Sequence, residues 1–185
     1  FSARTFVRNF DWKDPLTLYK HDIKNVSAQN FLMQNALGSE LIINGDYGEA
    51  KPYVESSVKS RPYYANLSNL AIIYIAEGNI KKAKVYLKKA VDLGDNYLIY
   101  ENYAKFLLIY DHNTKEARSF SREALKIFPK NKNLWLVLAK SEYLLGNKKE
   151  AKEAAEKAYF FGQEEEPKTI FELIKQNLPI VIEER

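Results

Sequence analysis

The sequence predicts an all-α protein, a right-handed solenoid of stacked helix pairs closed by a C-terminal capping helix. Three observations predict it. Four alanines, Ala50, Ala83, Ala117 and Ala151, lie 33, 34 and 34 residues apart. Small residues keep their phase in further columns: Ser57, Ala90, Ala124 and Ala158 after each alanine, and Gly38, Ala71, Lys105 and Ala139 before it, with Lys105 the exception. Turn residues share the same beat, as Gly45, Gly78, His112 and Gly146. One phase held through several columns marks a repeated helix–turn–helix unit, which buries its apolar face only by stacking on the next.

Each element has a local cause. Asp14-Pro15 reads as an N-cap followed by proline at the first helical turn, starting a helix over about 14–25 whose Leu16, Tyr19 and Ile23 suit packing against the first repeat. Helix pairs follow over 30–44 and 47–60, 64–77 and 80–93, 98–110 and 114–127, and 132–145 and 148–161. The small columns fall where the two helices of a pair cross, so a larger side chain would push the backbones apart. Leu37, Leu70, Ala104 and Leu138 fill the layer between repeats. Gly45, Gly78 and Gly146 end first helices in the left-handed conformation that costs glycine little. Pro62 and Pro129 close second helices. In the third unit His112 replaces the turn glycine and Lys105 the small residue, which predicts looser packing of that pair. Pro167 then opens an amphipathic capping helix over 167–177, with Ile170, Phe171 and Ile174 on its apolar face and Glu164, Glu165 and Glu166 just before its N-terminus. The apolar tail Pro179-Ile180-Val181-Ile182 either folds back on the cap or was trimmed from something longer.

A period of 34 with these columns resembles the tetratricopeptide repeat (TPR). The resemblance implies a lead-in over 1–30, repeats at 31–63, 64–97, 98–131 and 132–165, and a cap and tail over 166–185. It also implies a concave face that binds other proteins. In that family, ligand contacts come from fixed positions of the first helices. Carried onto this chain, they give the expected partner-binding groove of Asn35, Ser39, Asn69, Ile72, Asn102, Phe106, Tyr110, Lys140 and Tyr143. Asparagines beside aromatic rings suit an extended peptide, whose backbone amides they can bond. The apolar members, Ile72, Ile75 and Phe106, equally suit cover by a neighbouring helix or by a second copy of the chain. Chaperone-binding TPR domains clamp a C-terminal carboxylate with lysine and arginine. Here the matching third-repeat sites are Ile99 and Tyr103, and only Asn69 fits, so that clamp is not expected.

The lead-in carries a second resemblance. Arg4-Thr5, Arg8-Asn9-Phe10-Asp11-Trp12 and Leu16-Thr17-Leu18-Tyr19, followed at once by repeats, are similar to the junction of transmembrane-and-TPR proteins of the O-mannosyltransferase-related type. That resemblance implies a membrane-embedded, glycosyltransferase-like body before Phe1, with the repeats outside the cytoplasm and helping to position acceptor protein. Arg4 and Arg8 argue against it, since positive charge is depleted on that side of a span. A free TPR protein in the cytoplasm is the alternative.

Composition narrows the function classes. The chain has 185 residues, 46% of them hydrophobic, and no cysteine, which excludes disulfides and thiolate metal sites and suits either a cytosolic or a periplasmic protein. No apolar run reaches the roughly 18–20 residues of a membrane span. Net charge is +4, and lysines such as Lys81, Lys82, Lys88 and Lys89 alternate with apolar residues as on a solvated helix face, so no nucleic-acid partner is expected. His21 and His112 lack neighbouring ligand-type residues, and no phosphate-binding loop or nucleophile elbow occurs, so no metal, cofactor or catalytic site is expected in this segment. The glycosylation-type triplets Asn25-Val26-Ser27 and Asn66-Leu67-Ser68 are read as chance matches. The expected partner is a protein or peptide, and self-association into a larger assembly is a third reading.

Overall fold

The computed structural model describes residues 15–24, 30–94 and 96–182. These form ten helices and no strand: α1 (Pro15–Asp22), α2 (Phe31–Ile43), α3 (Tyr47–Ser60), α4 (Tyr64–Ala76), α5 (Ile80–Leu93), α6 (Tyr97–Ile109), α7 (Thr114–Ile127), α8 (Lys132–Leu144), α9 (Lys148–Gly162) and α10 (Glu165–Lys175). Expected and observed ends agree to within two residues for α2 to α10. The outermost residues expected in α1, Asp14 and Asn25, lie outside the described residues.

The chain divides into two compact units, one through Gly94 and one after it. In the first, α2 pairs with α3 and α4 with α5, α4 rests on both α2 and α3, and α1 packs on α2. The second unit pairs α6 with α7 and α8 with α9. There α8 rests on α6 and α7, and α10 lies against α9 and α8.

The small columns sit where packing requires them. Ala50, Ala83, Ala117 and Ala151 are 0% exposed, as are Ala71, Ala90, Ala139 and Ala158. At Gly38 even a methyl group would overlap the Val54 side chain, so α2 and α3 need glycine there. Gly45, Gly78 and Gly146 have φ of 82°, 72° and 80°. After two of the four turns an asparagine side chain caps the next helix, Asn79 accepting from the Lys82 N–H at 3.2 Å and Asn113 from that of Glu116 at 3.2 Å, whereas Asp46 and Asn147 make no such bond.

The third pair departs from the expected register. Ala104, not Lys105, fills its small position, at 0% exposure, and Lys105 is exposed. The reason lies in the turn. The Asn113 N–H donates to Leu107 O at 2.8 Å, spanning one residue more than the equivalent bonds from Asp46 to Leu41, Asn79 to Tyr74 and Asn147 to Glu142. His112 takes the left-handed conformation at φ 49°. All of α6 is therefore displaced by one residue, and Tyr103 replaces Ala104 in the layer facing the next repeat. The backbones of α6 and α7 do approach within 8 Å at fewer places than those of the other pairs. Aromatic rings fill this contact, Phe120 of α7 lying 4.8 Å from Tyr103 and 5.7 Å from Tyr100 between ring centroids, while Lys105 is exposed.

The cap starts two residues earlier than expected, so Glu165 and Glu166 lie inside its first turn, where the helix dipole favours them. Pro167, Ile170 and Ile174 are buried, and Phe171 stacks on Tyr159 at 6.3 Å.

Candidate functional site: the first-helix faces

In the first unit the face is set by α2 and α4 lying side by side. Asn69 Nδ2 donates to Asn35 Oδ1 at 3.0 Å, joining successive repeats through their side chains. Ser39, one turn further along α2, is half-buried, and Ile72 on α4 is 37% exposed. Next to Asn69, the Ser68 hydroxyl is buried with no hydrogen-bond partner. These four expected residues are therefore brought together on one partly open surface, rimmed by the half-buried Ile42 and Ile75.

The second unit treats its expected residues differently. Phe106 is 1% exposed, stacked between Tyr103 at 6.4 Å and Tyr110 at 6.1 Å. The displacement of α6 turns it inward and puts Lys105 at the position assigned to it. Of the two alternatives for Phe106, the covered one holds. Asn102 remains exposed. Lys140 pairs with Glu166 at 2.9 Å, and the Tyr143 hydroxyl donates to Leu178 O at 2.8 Å, so both are engaged by the cap and the residues after it.

Two buried carboxylates escaped sequence reasoning. Glu101 is 6% exposed and accepts from Asn131 Nδ2 at 2.6 Å and Asn133 Nδ2 at 2.7 Å, tying α6 to the start of α8. Glu142 is 1% exposed and is held by Arg122 and, at 2.6 Å, by Asn147 Nδ2. Both carboxylates are satisfied by hydrogen bonds that cross between helices, which is what allows a charge to be buried. Glutamate in a helix gives no such signal by itself. The recurring asparagines at helix starts were the available clue.

His21 is exposed, with Nδ1 3.2 Å from Asp22 Oδ1, and His112 is exposed at its turn. Among the described residues no cluster of three or more His, Asp or Glu could hold a metal, and no helix is long and apolar enough to cross a membrane. Asn66 is 0% exposed and bonds Ser57 Oγ and Arg61 O, both at 2.9 Å, so its glycosylation-type triplet is inaccessible. Asn25-Val26-Ser27 lies outside the described residues.

Residues 33–64 and 65–96 match the tetratricopeptide repeat family. No curated protein sequence matches the chain. Among solved structures, the chain is similar to YrrB, described as a TPR protein with an unusual peptide-binding site, at 16% identity and a TM-score of 0.68, covering 87% of this chain and 81% of that one. It is also similar to PilF of Pseudomonas aeruginosa, at 20% identity and TM-score 0.69 over 81% and 69% of the two chains. A third likeness is to MamA from Desulfovibrio magneticus RS-1, at 15% identity and TM-score 0.68 over 80% and 84%. The lead-in's resemblance to a membrane-protein junction falls mostly on residues 1–14, outside the described residues, and gains no support from these comparisons. Two of its helix pairs thus match the repeat, and its all-helical fold of successive helix pairs is shared with a TPR protein over most of its length.

Proposed function

We propose that the chain is a protein-interaction scaffold that holds an extended peptide of its partner across the face of α2 and α4. The observation that carries this reading is the Asn35–Asn69 pair. Their mutual bond consumes one donor group and one acceptor. The Asn35 Nδ2 and the Asn69 Oδ1 take no part in that bond, and such a donor and acceptor are the complement of the C=O and N–H of a peptide unit. Ile72, Ile42 and Ile75 supply apolar contact beside them. The likeness to YrrB supports a peptide as the ligand class. No charged clamp anchors a peptide end, so affinity on the order of micromolar is expected once the cost of ordering the peptide is met. Peptides selected against the chain by phage display, then titrated calorimetrically, test the reading. Asn35→Leu with Asn69→Leu should remove binding with helicity unchanged. Selected peptides that bind this double variant as tightly as the parent chain would overturn it. Phe106 is unsuited to such a test, because it belongs to the core.

The motif running from Arg4 to Trp12 and on to Tyr19 supports a finer proposal. In it, the repeats are the exposed part of a membrane protein with a glycosyltransferase-like body, and they position acceptor protein for it. Apolar spans encoded before Phe1, and recovery of the full-length protein in the membrane fraction, are the expected results. Recovery in the soluble fraction contradicts it.

A further inference from the structure

The net charge of this molecule is concentrated on one helix. α5 carries five lysines against a single aspartate, a net +4, which equals the net charge of the whole chain, so the remainder is neutral overall. Ala83, Leu87 and Ala90 face the core, and the opposite side of α5 is exposed. At the centre of that side stands Val85, 50% exposed. Lys81 and Lys82 precede it by four and three positions, and Lys88 and Lys89 follow it by three and four, so all four are its neighbours on the helix surface. Lys82 lies over the Tyr74 ring at 5.1 Å and Lys89 over the Tyr86 ring at 5.4 Å, on one flank of Val85. Those two rings are themselves stacked at 5.5 Å. Lys81 and Lys88 flank the other side, and Asp92 stands one turn beyond. None of the four lysines enters an ion pair between described residues.

We propose that this face of α5 docks an acidic segment of a partner protein, one that carries an apolar side chain between carboxylates. An apolar centre inside a charged rim is the arrangement that excludes water around a buried anchor. Four ammonium groups with no carboxylate partner among the described residues would face each other across an apolar partner unless that partner brought negative charge, so the rim selects for Asp and Glu. A phosphate polyanion or an anionic bilayer would satisfy the lysines but has no requirement for Val85. The proposal is independent of the peptide face on α2 and α4, which lies on other helices.

The test is a titration of the whole chain into a fluorescein-labelled synthetic helical peptide, whose central leucine has glutamates three and four positions to either side, followed by anisotropy. Binding is expected to be saturable and to weaken roughly tenfold from low to physiological salt. Lys81→Glu with Lys88→Glu should weaken it at least about tenfold. Val85→Asp should weaken it about fivefold or more, whereas Val85→Leu should retain it. These positions are exposed, and circular dichroism checks that each variant keeps its helicity. The proposal fails if the lysine reversal leaves affinity unchanged. It also fails if Val85→Asp has no effect while phosphatidylserine vesicles or a DNA duplex bind as tightly as the peptide. Sedimentation showing a dimer of the chain that the lysine reversal dissociates would make a second copy the occupant, and would likewise overturn it.

Discussion

A single methyl group separates tolerated from untolerated changes at the helix crossings. Gly38→Ala would drive its Cβ into Val54, and a loss of about 1–3 kcal/mol in a denaturant titration is expected. Ala83→Leu and Ala117→Leu, both at positions with no exposure, should cost a similar amount, on the order of 1–3 kcal/mol, while Lys81→Ala on the solvated side should cost little. Equal effects of Ala83→Leu and Lys81→Ala would show the packing assignment to be wrong. At the turns the cost is conformational rather than steric. Nothing lies within 4 Å of a Cβ built on Gly78, so Gly78→Ala should lose about 1 kcal/mol from the left-handed backbone alone. His112 already bears that strain, and His112→Gly should therefore be neutral or gain up to about 1 kcal/mol in the same titration.

At the scale of the element, the caps decide where helices begin. Asn113→Ala removes the acceptor for the Glu116 N–H and should cost about 1 kcal/mol, measured by thermal unfolding. Most helix boundaries were legible because glycine, proline and asparagine act locally, through φ and through hydrogen bonds to the next turn. The slip of α6 was not legible. Ala104 and Lys105 are adjacent, and a fixed count from Ala117 selects the wrong one. Which of the two enters the crossing is settled by the longer turn at Tyr110–Asn113, whose mark in the sequence, His112 in place of glycine, does not reveal its length. The site suffered from the same cause. Asn35, Ser39, Asn69 and Ile72 lie on α2 and α4, where the count is regular, and none of them is fully buried. Phe106 turned inward once α6 moved by one residue. Lys140 and Tyr143 were taken by Glu166 and Leu178, contacts between elements far apart in sequence that periodicity does not encode.

For the molecule as a whole, four described groups of the first unit have raised proton affinities. The hydrogen bond to Glu49 raises the Lys20 pKa, that to Glu77 raises Lys51, and burial raises Tyr63 and Tyr74. A raised value means that the native state keeps its proton to higher pH than the unfolded chain does. The stability these groups contribute is therefore complete below the ordinary values, 10.0 for tyrosine and 10.5 for lysine, and is lost as pH rises through the native ones. Urea midpoints followed by circular dichroism should accordingly fall above about pH 10, and Tyr63→Phe with Tyr74→Phe should flatten that decline. A midpoint that is constant to pH 11 would remove all four groups as a source of pH dependence, and a decline untouched by the two changes would remove the two tyrosines.

The lengthened turn before α7 has a consequence for how such chains are compared. Ala83 and Ala117 are 34 residues apart, as are Ala117 and Ala151, because relative to the fourth repeat the turn after α6 is one residue longer while the connection before α6 is one residue shorter than that before α8. In an alignment this is a pair of compensating gaps enclosing one helix, invisible to total repeat length. Comparison by ungapped columns will set Lys105 against alanines and score α6 as degenerate, although its packing face is intact. Relatives of this chain are best aligned with a gap permitted on each side of that helix, and apparent losses of the small residue elsewhere in such arrays call for a search one position away.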